Sequence, residues 1–497
     1  VDPCGEAEAE RSYLGCEYWP VPLANTRELD EYTFDYRIVV ANPNDAAATI
    51  EVERGGTDVA LESVPARGLT EIALPWIEEQ SFGIFDEDWD SLLVSDGAYR
   101  LTSSLPVAVS QFNPFEYSVD TELSYTNDAS LLLPAHVLGG DYVGVTYVPF
   151  SRRDRHSGSP SSPSYFKYPD YIAVVGITSA PTAVEVQVSG QAAGTGGGGF
   201  WDTGDGGTID LMLQQGQVAH IATPPPPDCD ESRPGFVEES DCVLGTCSYL
   251  ACCREEGYDL TGTRIRANHP VAVFGGHVCA YVPYHAQSCD HLEVQLPPVR
   301  TWGKEYVSMP MTDQGADTPN LVRVVAAEDD TSVTVSPPQD GVSTVMLDGN
   351  EWVEFFVHSA FTVVASRPVT VAQYLLGMHY PEPDAERGDP AMTVLVPQEQ
   401  YRRDYTFIVP SSYNPGTNGQ SYVMVVKPSA ASLTLDSSPL SVTWSPAGAW
   451  QVGITPLAGG SHTLSGDVSF GVVVYGMGSF TSYAYPAGMD LARITGG

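Results

Sequence analysis

The strongest constraint on the fold is an internal repeat. An apolar strand, a polar turn and an alternating strand recur as YRIVVANPNDAAATIEV from Tyr36, YIAVVGITSAPTAVEV from Tyr171, LVRVVAAEDDTSVTV from Leu321 and YVMVVKPSAASLTL from Tyr422. A second element follows each: YRLTSSLPVAVSQF from Tyr99, TRIRANHPVAVFGG from Thr263, FTVVASRPVTVAQY from Phe361 and HTLSGDVSFGVVVYG from His462. Pro106, Pro270, Pro368 and Ser469 mark equivalent positions, 164, 98 and 101 residues apart. A third element, LPAHVLGGDYVGVTYVP, LPPVRTWGKEYVSMP or VPQEQYRRDYTFIVP, opens three copies at Leu133, Leu296 and Val396. A chain that repeats itself at this period stacks copies of one supersecondary unit.

Each copy is about 100 residues, and the second is enlarged by Gly194–Gly199, Pro224–Pro227 and the cysteine-rich stretch Cys229–Cys253. The fourth copy holds short runs of alternating β-formers separated by turn residues, the pattern of a two-sheet sandwich. With 47 Gly and 39 Pro among 497 residues, a helical protein is disfavoured. The expected class is all-β: four tandem immunoglobulin-like sandwiches packed together, over residues 1–130, 131–293, 294–393 and 394–497. The same strands could be partitioned into a β-propeller, but propeller blades recur at a shorter period of about 40–50 residues.

Charge excludes several partners. The 63 acidic and 23 basic side chains give a formal net charge of −40, in a chain that is 42% hydrophobic and therefore folded. Such a surface repels nucleic acid and anionic lipid. Apolar runs are strand-sized, so no span crosses a bilayer as a helix. The first residues have neither a basic n-region nor an apolar h-region, so no signal peptide is expected in the sequence as given.

Nine cysteines stand at Cys4, Cys16, Cys229, Cys242, Cys247, Cys252, Cys253, Cys279 and Cys289. They read as a disulfide framework, which places the protein outside the cytosol, secreted or at the cell surface. Cys4 can pair locally with Cys16, and Cys279 with Cys289. Five then remain in the insert, so at least one is free, pairs with Cys4, or crosses to another chain. His277, His285 and His291 beside Cys279 and Cys289 could form a zinc set, but oxidation of the two thiols would remove it.

Few residues suggest chemistry. There is no G-x-S-x-G elbow and no H-E-x-x-H helix, and SRRDRHSGSPSSPS around His156 reads as an exposed polar loop. We therefore expect no enzyme. Asp86, Asp88 and Asp90 in FDEDWDS alternate as oxygen ligands do, without the Gly and Glu of an EF-hand. Structural Ca²⁺ is the one cofactor such loops would hold. Tyr165 and Tyr168, with Tyr483 and Tyr485, are candidates for stacking on sugar rings, although tyrosine is also a good strand residue.

The run HPVAVFGGHVCAYVPYHAQSCDHLEVQLPPVRTWGKEYVSMP, from His269 to Pro310, resembles a signature of the IgGFc-binding protein N-terminal domain family. SYLGCEYWPVPLAN and GVVVYGMGSFTSYAYPAGMDL look like the two ends of its bacterial, myxobacterial-type secreted or surface members. The resemblance spans essentially the whole chain and implies adhesion or surface association, without carrying over any catalytic residue. The expected function is non-enzymatic adhesion or recognition at the cell surface or in extracellular matrix, with a surface protein or glycan as ligand. The alternative is a structural subunit that assembles with itself into a fibre or sheath.

Overall fold

The computed structural model describes residues 2–491 except 27–33, 83–89, 117, 120–121, 157–163, 244–245, 287–288, 314–317, 381–385, 412 and 414–418. The protein is all-β. Its longer helix, Pro3–Glu10, is capped by Asp2, whose carboxylate accepts from the Cys4 N–H at 3.1 Å.

Each of the four large sheet networks is organised by one long strand: Arg100–Phe112, Arg264–Ala280, Phe361–Leu375 and Gly460–Gly478. The first half of Arg100–Phe112 pairs with Gly15–Tyr18 and Ala48–Arg54, and the second half with Tyr36–Ala41 and Ala129–Leu132. It therefore belongs to two sheets in succession, and the change falls at Pro106. The other three long strands have the same order of partners and change near Pro270, Pro368 and Ser469. Proline has no N–H to donate, so a point where a strand leaves one ladder for another tolerates it. These are sandwich-like, half-barrel arrangements.

The alternation in the sequence follows from this layering. Ala48–Arg54, Thr182–Gln187 and the start of Thr331–Gln339 alternate buried and more accessible residues because one face looks outward. Asp170–Gly176 and Asn320–Ala326 are buried throughout, because other strands cover both of their faces.

A tyrosine latch recurs in every copy. Tyr18, Tyr142 and Tyr306 donate from the phenol to the carbonyls of Val107, Val271 and Val369 at 2.6, 2.8 and 2.5 Å, and Tyr405 does so to Phe470. Each acceptor directly follows the marker position. Burial pushes all four phenols above their ordinary pKa, so they remain donors. The latch strands bulge at Gly15 and Gly303, where a Cβ would lie 2.3 Å from Pro134 and Pro397. Only glycine lets these strands approach the proline that opens the next copy.

The copies close on one another. The strand Leu92–Val94 pairs with Val218–Ala222, joining the first part of the chain to the second sheet network. Four short strands, Ala129–Leu132, Asp290–Gln295, Ala391–Val394 and Thr481–Pro486, meet in a ring in which each packs on the next and the last packs on the first. Ser12 bridges to Asp490 where the chain's two end segments meet.

Asp128 lies at the centre of this ring and is fully buried. Its Oδ1 accepts from Ala129 N at 2.8 Å and Ala484 N at 3.3 Å; its Oδ2 accepts from Glu293 N at 3.0 Å and Met392 N at 3.1 Å. One side chain thus takes a backbone N–H from each of the four short strands. Burial raises this carboxyl and the N–H groups oppose the shift. The net shift is well upward, and each oxygen accepts two N–H groups.

Asp128→Asn replaces one acceptor oxygen by an amide that confronts two N–H donors. We expect a loss of about 2–6 kcal/mol, because two buried donors are left unpaired at about 1–3 kcal/mol each. Urea titration followed by tryptophan fluorescence measures it; a loss below about 1 kcal/mol would remove Asp128 from this role.

Candidate functional site

The enlarged second copy carries a four-stranded sheet of its own, in the order Ser164–Tyr168, Phe150–His156, Thr246–Arg254, Val237–Val243. The segment expected to be a polar loop is therefore a central strand as far as His156, while residues 157–163 lie outside the described residues. Its signal was concealed because the alternating positions are arginines rather than apolar residues.

Alternation places Arg153 and Arg155 on one face. Arg153 Nη2 lies 3.2 Å and Arg155 Nη2 3.4 Å from the same oxygen, Glu238 Oε2. Arg153 lies over the ring of Phe236 at 5.8 Å, and Arg155 over Tyr249 at 4.9 Å. Tyr165, half-buried, stands opposite Arg153 in the ladder. Lys167 on the same face is neutralised by Asp228 at 2.7 Å. On the other face, Arg152 pairs with Asp154 and lies between Phe166 and Tyr281. The sheet thus gathers arginines and aromatic rings within a chain that is otherwise acidic.

Disulfides brace this region. Cys229 is bonded to Cys253, which ties the segment leading into Val237–Val243 to the strand Thr246–Arg254; Cys4 is bonded to Cys16 and Cys279 to Cys289. Cys252 is a free thiol, 2% exposed, and burial pushes it up to about 12. Of the alternatives for the odd cysteine of the insert, pairing with Cys4 is removed by the Cys4–Cys16 bond, and Cys252 is a buried free thiol. Cys242 and Cys247 face each other in backbone register, and their side chains lie outside the described residues.

Several other candidates stand elsewhere. Tyr168, Tyr483 and Tyr485 are 6%, 1% and 1% exposed and cannot stack on a ligand. Tyr483 and Tyr485 sit on a short strand covered on both faces, where their phenols donate to Ser421 Oγ and the Ile408 carbonyl. Asp86 and Asp88 lie outside the described residues, while Asp90 accepts from the Thr195 N–H at 3.2 Å. Among the described residues no group of three or more His, Cys, Asp or Glu side chains is placed to hold a metal ion. The disulfide takes both thiols from the zinc set, and His277 and His291 are buried. No helix among the described residues is long and apolar enough to cross a membrane.

The fold and this surface define a disulfide-braced, all-β protein with recurring sheet units and one insert face where paired arginines meet aromatic rings. The family model described as IgGFc binding protein matches residues 128–476, well over half of the sequence. The chain belongs to the IgGFc binding protein family. The human "IgGFc-binding protein" is 25% identical over 240 residues, which is 47% of this chain and 4% of that protein's length. A "crystal structure of tetra-tandem repeat in extending region of large adhesion protein" aligns over 94% of this chain and all of that one. Its 12% identity and TM-score of 0.09 carry no argument about the fold.

Burial pushes His220, His277 and His291 down to about 3. An unfolded chain protonates them below about pH 6.5 and the folded protein only near 3, so their stability is full above 6.5 and is lost as pH falls. His277 stacks on Phe150, accepts from the Cys279 N–H at 3.1 Å, and is lowered further by His291. With His277→Phe, the stability gap to the parent protein should change by about 1.4 kcal/mol per pH unit below 6.5, in the variant's favour. Denaturant titrations at pH 7, 6 and 5 check this; a gap that does not vary with pH contradicts it.

Proposed function

We propose that this chain is a non-enzymatic extracellular recognition protein, and that the insert sheet of the second copy is its binding surface. The carrying observation is the face formed by Arg153, Arg155, Tyr165 and Tyr249, which stands out from a −40 background. Arginine and tyrosine dominate binding hot spots because each offers a large rigid surface together with polar groups. Membership of the IgGFc binding protein family supports a protein or glycan ligand, as does the disulfide bracing an extracellular location.

The finer organisation belongs to the same proposal. Four immunoglobulin-like modules spanning 1–130, 131–293, 294–393 and 394–497, in a bacterial surface protein of myxobacterial type, fit the repeated strand order and the long resemblance. Structural Ca²⁺ bound by surface carboxylates is compatible with the charge, and Asp90 would be the described member of its first candidate loop.

A second reading, self-assembly, is favoured by the outer strands. Thr57–Val64, Thr208–Leu213 and Val342–Leu347 end their sheets among the described residues, and carry Leu61, Met212 and Met346 at 70%, 55% and 59% exposure. Apolar sheet edges of this kind pair with other chains.

Arrays of extracellular proteins and glycans test the first reading. Saturable binding should be lost in Arg155→Glu while the thermal melting curve stays unchanged; binding that survives the charge reversal contradicts the assignment to this face. Sedimentation velocity over a range of concentrations tests the second. Fibre assembly requires a sedimentation coefficient that climbs with concentration, and a constant value removes that reading.

A further inference from the structure

The shared carboxylate is held weakly. Both arginines reach one oxygen of Glu238, at 3.2 and 3.4 Å, whereas paired charge-assisted hydrogen bonds run at about 2.7–2.9 Å. The Glu238 side chain is 27% exposed, and Arg155 beside it is 32% exposed. Arg153 Nε is enclosed and has no acceptor. Two guanidinium groups thus share a single carboxylate, with Asp230 as a further anion in the field of Arg153. Glu238 therefore stands where an external anion would sit.

Two further features define that anion. The ring of Tyr249 lies against Arg155 and Tyr165 stands opposite Arg153 in the ladder, and flat rings match the face of a sugar ring better than a compact inorganic ion. The net charge of −40 repels polyanions at long range, so a ligand bearing one charge is favoured over a sulfated polymer.

We propose that Arg153 and Arg155, flanked by Tyr165 and Tyr249, bind the carboxylate of a single uronic acid residue at the end of a glycan, in the place that Glu238 occupies in the free protein. This rests on the insert face being the recognition surface. Glu238 then acts as an internal competitor, and ligand binding moves its carboxylate out of the pair. Each arginine gains a better-aligned acceptor through its Nη2.

Calorimetric titration with cellobiouronic acid and with cellobiose, which differ by one carboxylate, tests this at about 0.15 M salt, where surface repulsion is screened beyond about 8 Å. The acid should bind and the neutral sugar should not. Glu238→Gln should tighten the acid by about tenfold, and Arg153→Gln should weaken it by at least about tenfold. Glu238→Ala repeats the first test should the glutamine refill the site, and melting curves confirm that each variant is folded. A short peptide ending in a free carboxylate forms the control arm; tighter binding of the peptide than of the acid sugar overturns the glycan assignment. Equal binding of the two sugars, or no gain on removing Glu238, overturns the proposal. Loss of array binding in Arg155→Glu without any preference for the acid sugar removes the uronate and leaves the recognition surface standing.

Discussion

A carboxylate that takes one backbone N–H from each of four strands cannot be assembled by any one copy of the repeat. Asp128 contributes to its own strand and to three others, up to 356 residues away in sequence. Burying a charge is unfavourable unless donors surround it, and here the donors exist only when all four short strands have converged. The ring therefore has an all-or-none character that the sheets around it lack. A neighbouring network extends the coupling: Glu293 accepts from Gln111 on the first long strand and from Asn113 just after it, while its own N–H points to Asp128.

Much of the outer architecture was legible in the sequence. Pro106, Pro270 and Pro368 mark the places where the long strands change sheets, and the alternating runs that follow the apolar strands have one outward face. The third element that carries Tyr142, Tyr306 and Tyr405 was visible as a recurring run, although the latch to the carbonyl after each marker position, and its counterpart at Tyr18, was not. What stayed hidden depends on contacts between copies. Asp128 looks like any Asp in a turn, because its four partners are spread over the chain. Tyr483 and Tyr485 were indistinguishable from ligand-binding tyrosines, since the sequence does not say that their strand is covered on both faces. Arg153 and Arg155 were lost in a segment read as loop, where charge masked the strand alternation.

The fold separates its buried framework from the proposed recognition face. Residues that fix the ring and the latches are buried, and their roles are satisfied within the chain. The insert sheet sits outside that framework, braced by the Cys229–Cys253 bond and joined to the third copy by the Arg254–Glu354 ion pair at 3.0 Å. Arg323 reinforces the same junction: it is fully buried, pairs with Asp259 at 2.9 Å and Glu354 at 2.7 Å, and lies over Trp352. A rigid base with an adaptable polar face is the arrangement expected where binding residues are carried by an addition to a repeated scaffold.

The four large sheet networks close around one point instead of extending as a string. Small-angle X-ray scattering measures this directly. A closed body of this length should give a radius of gyration of about 23 Å and a single-peaked distance distribution. A radius well above that, with the long-tailed distribution of beads in a row, would contradict the ring and the role of Asp128 at its centre.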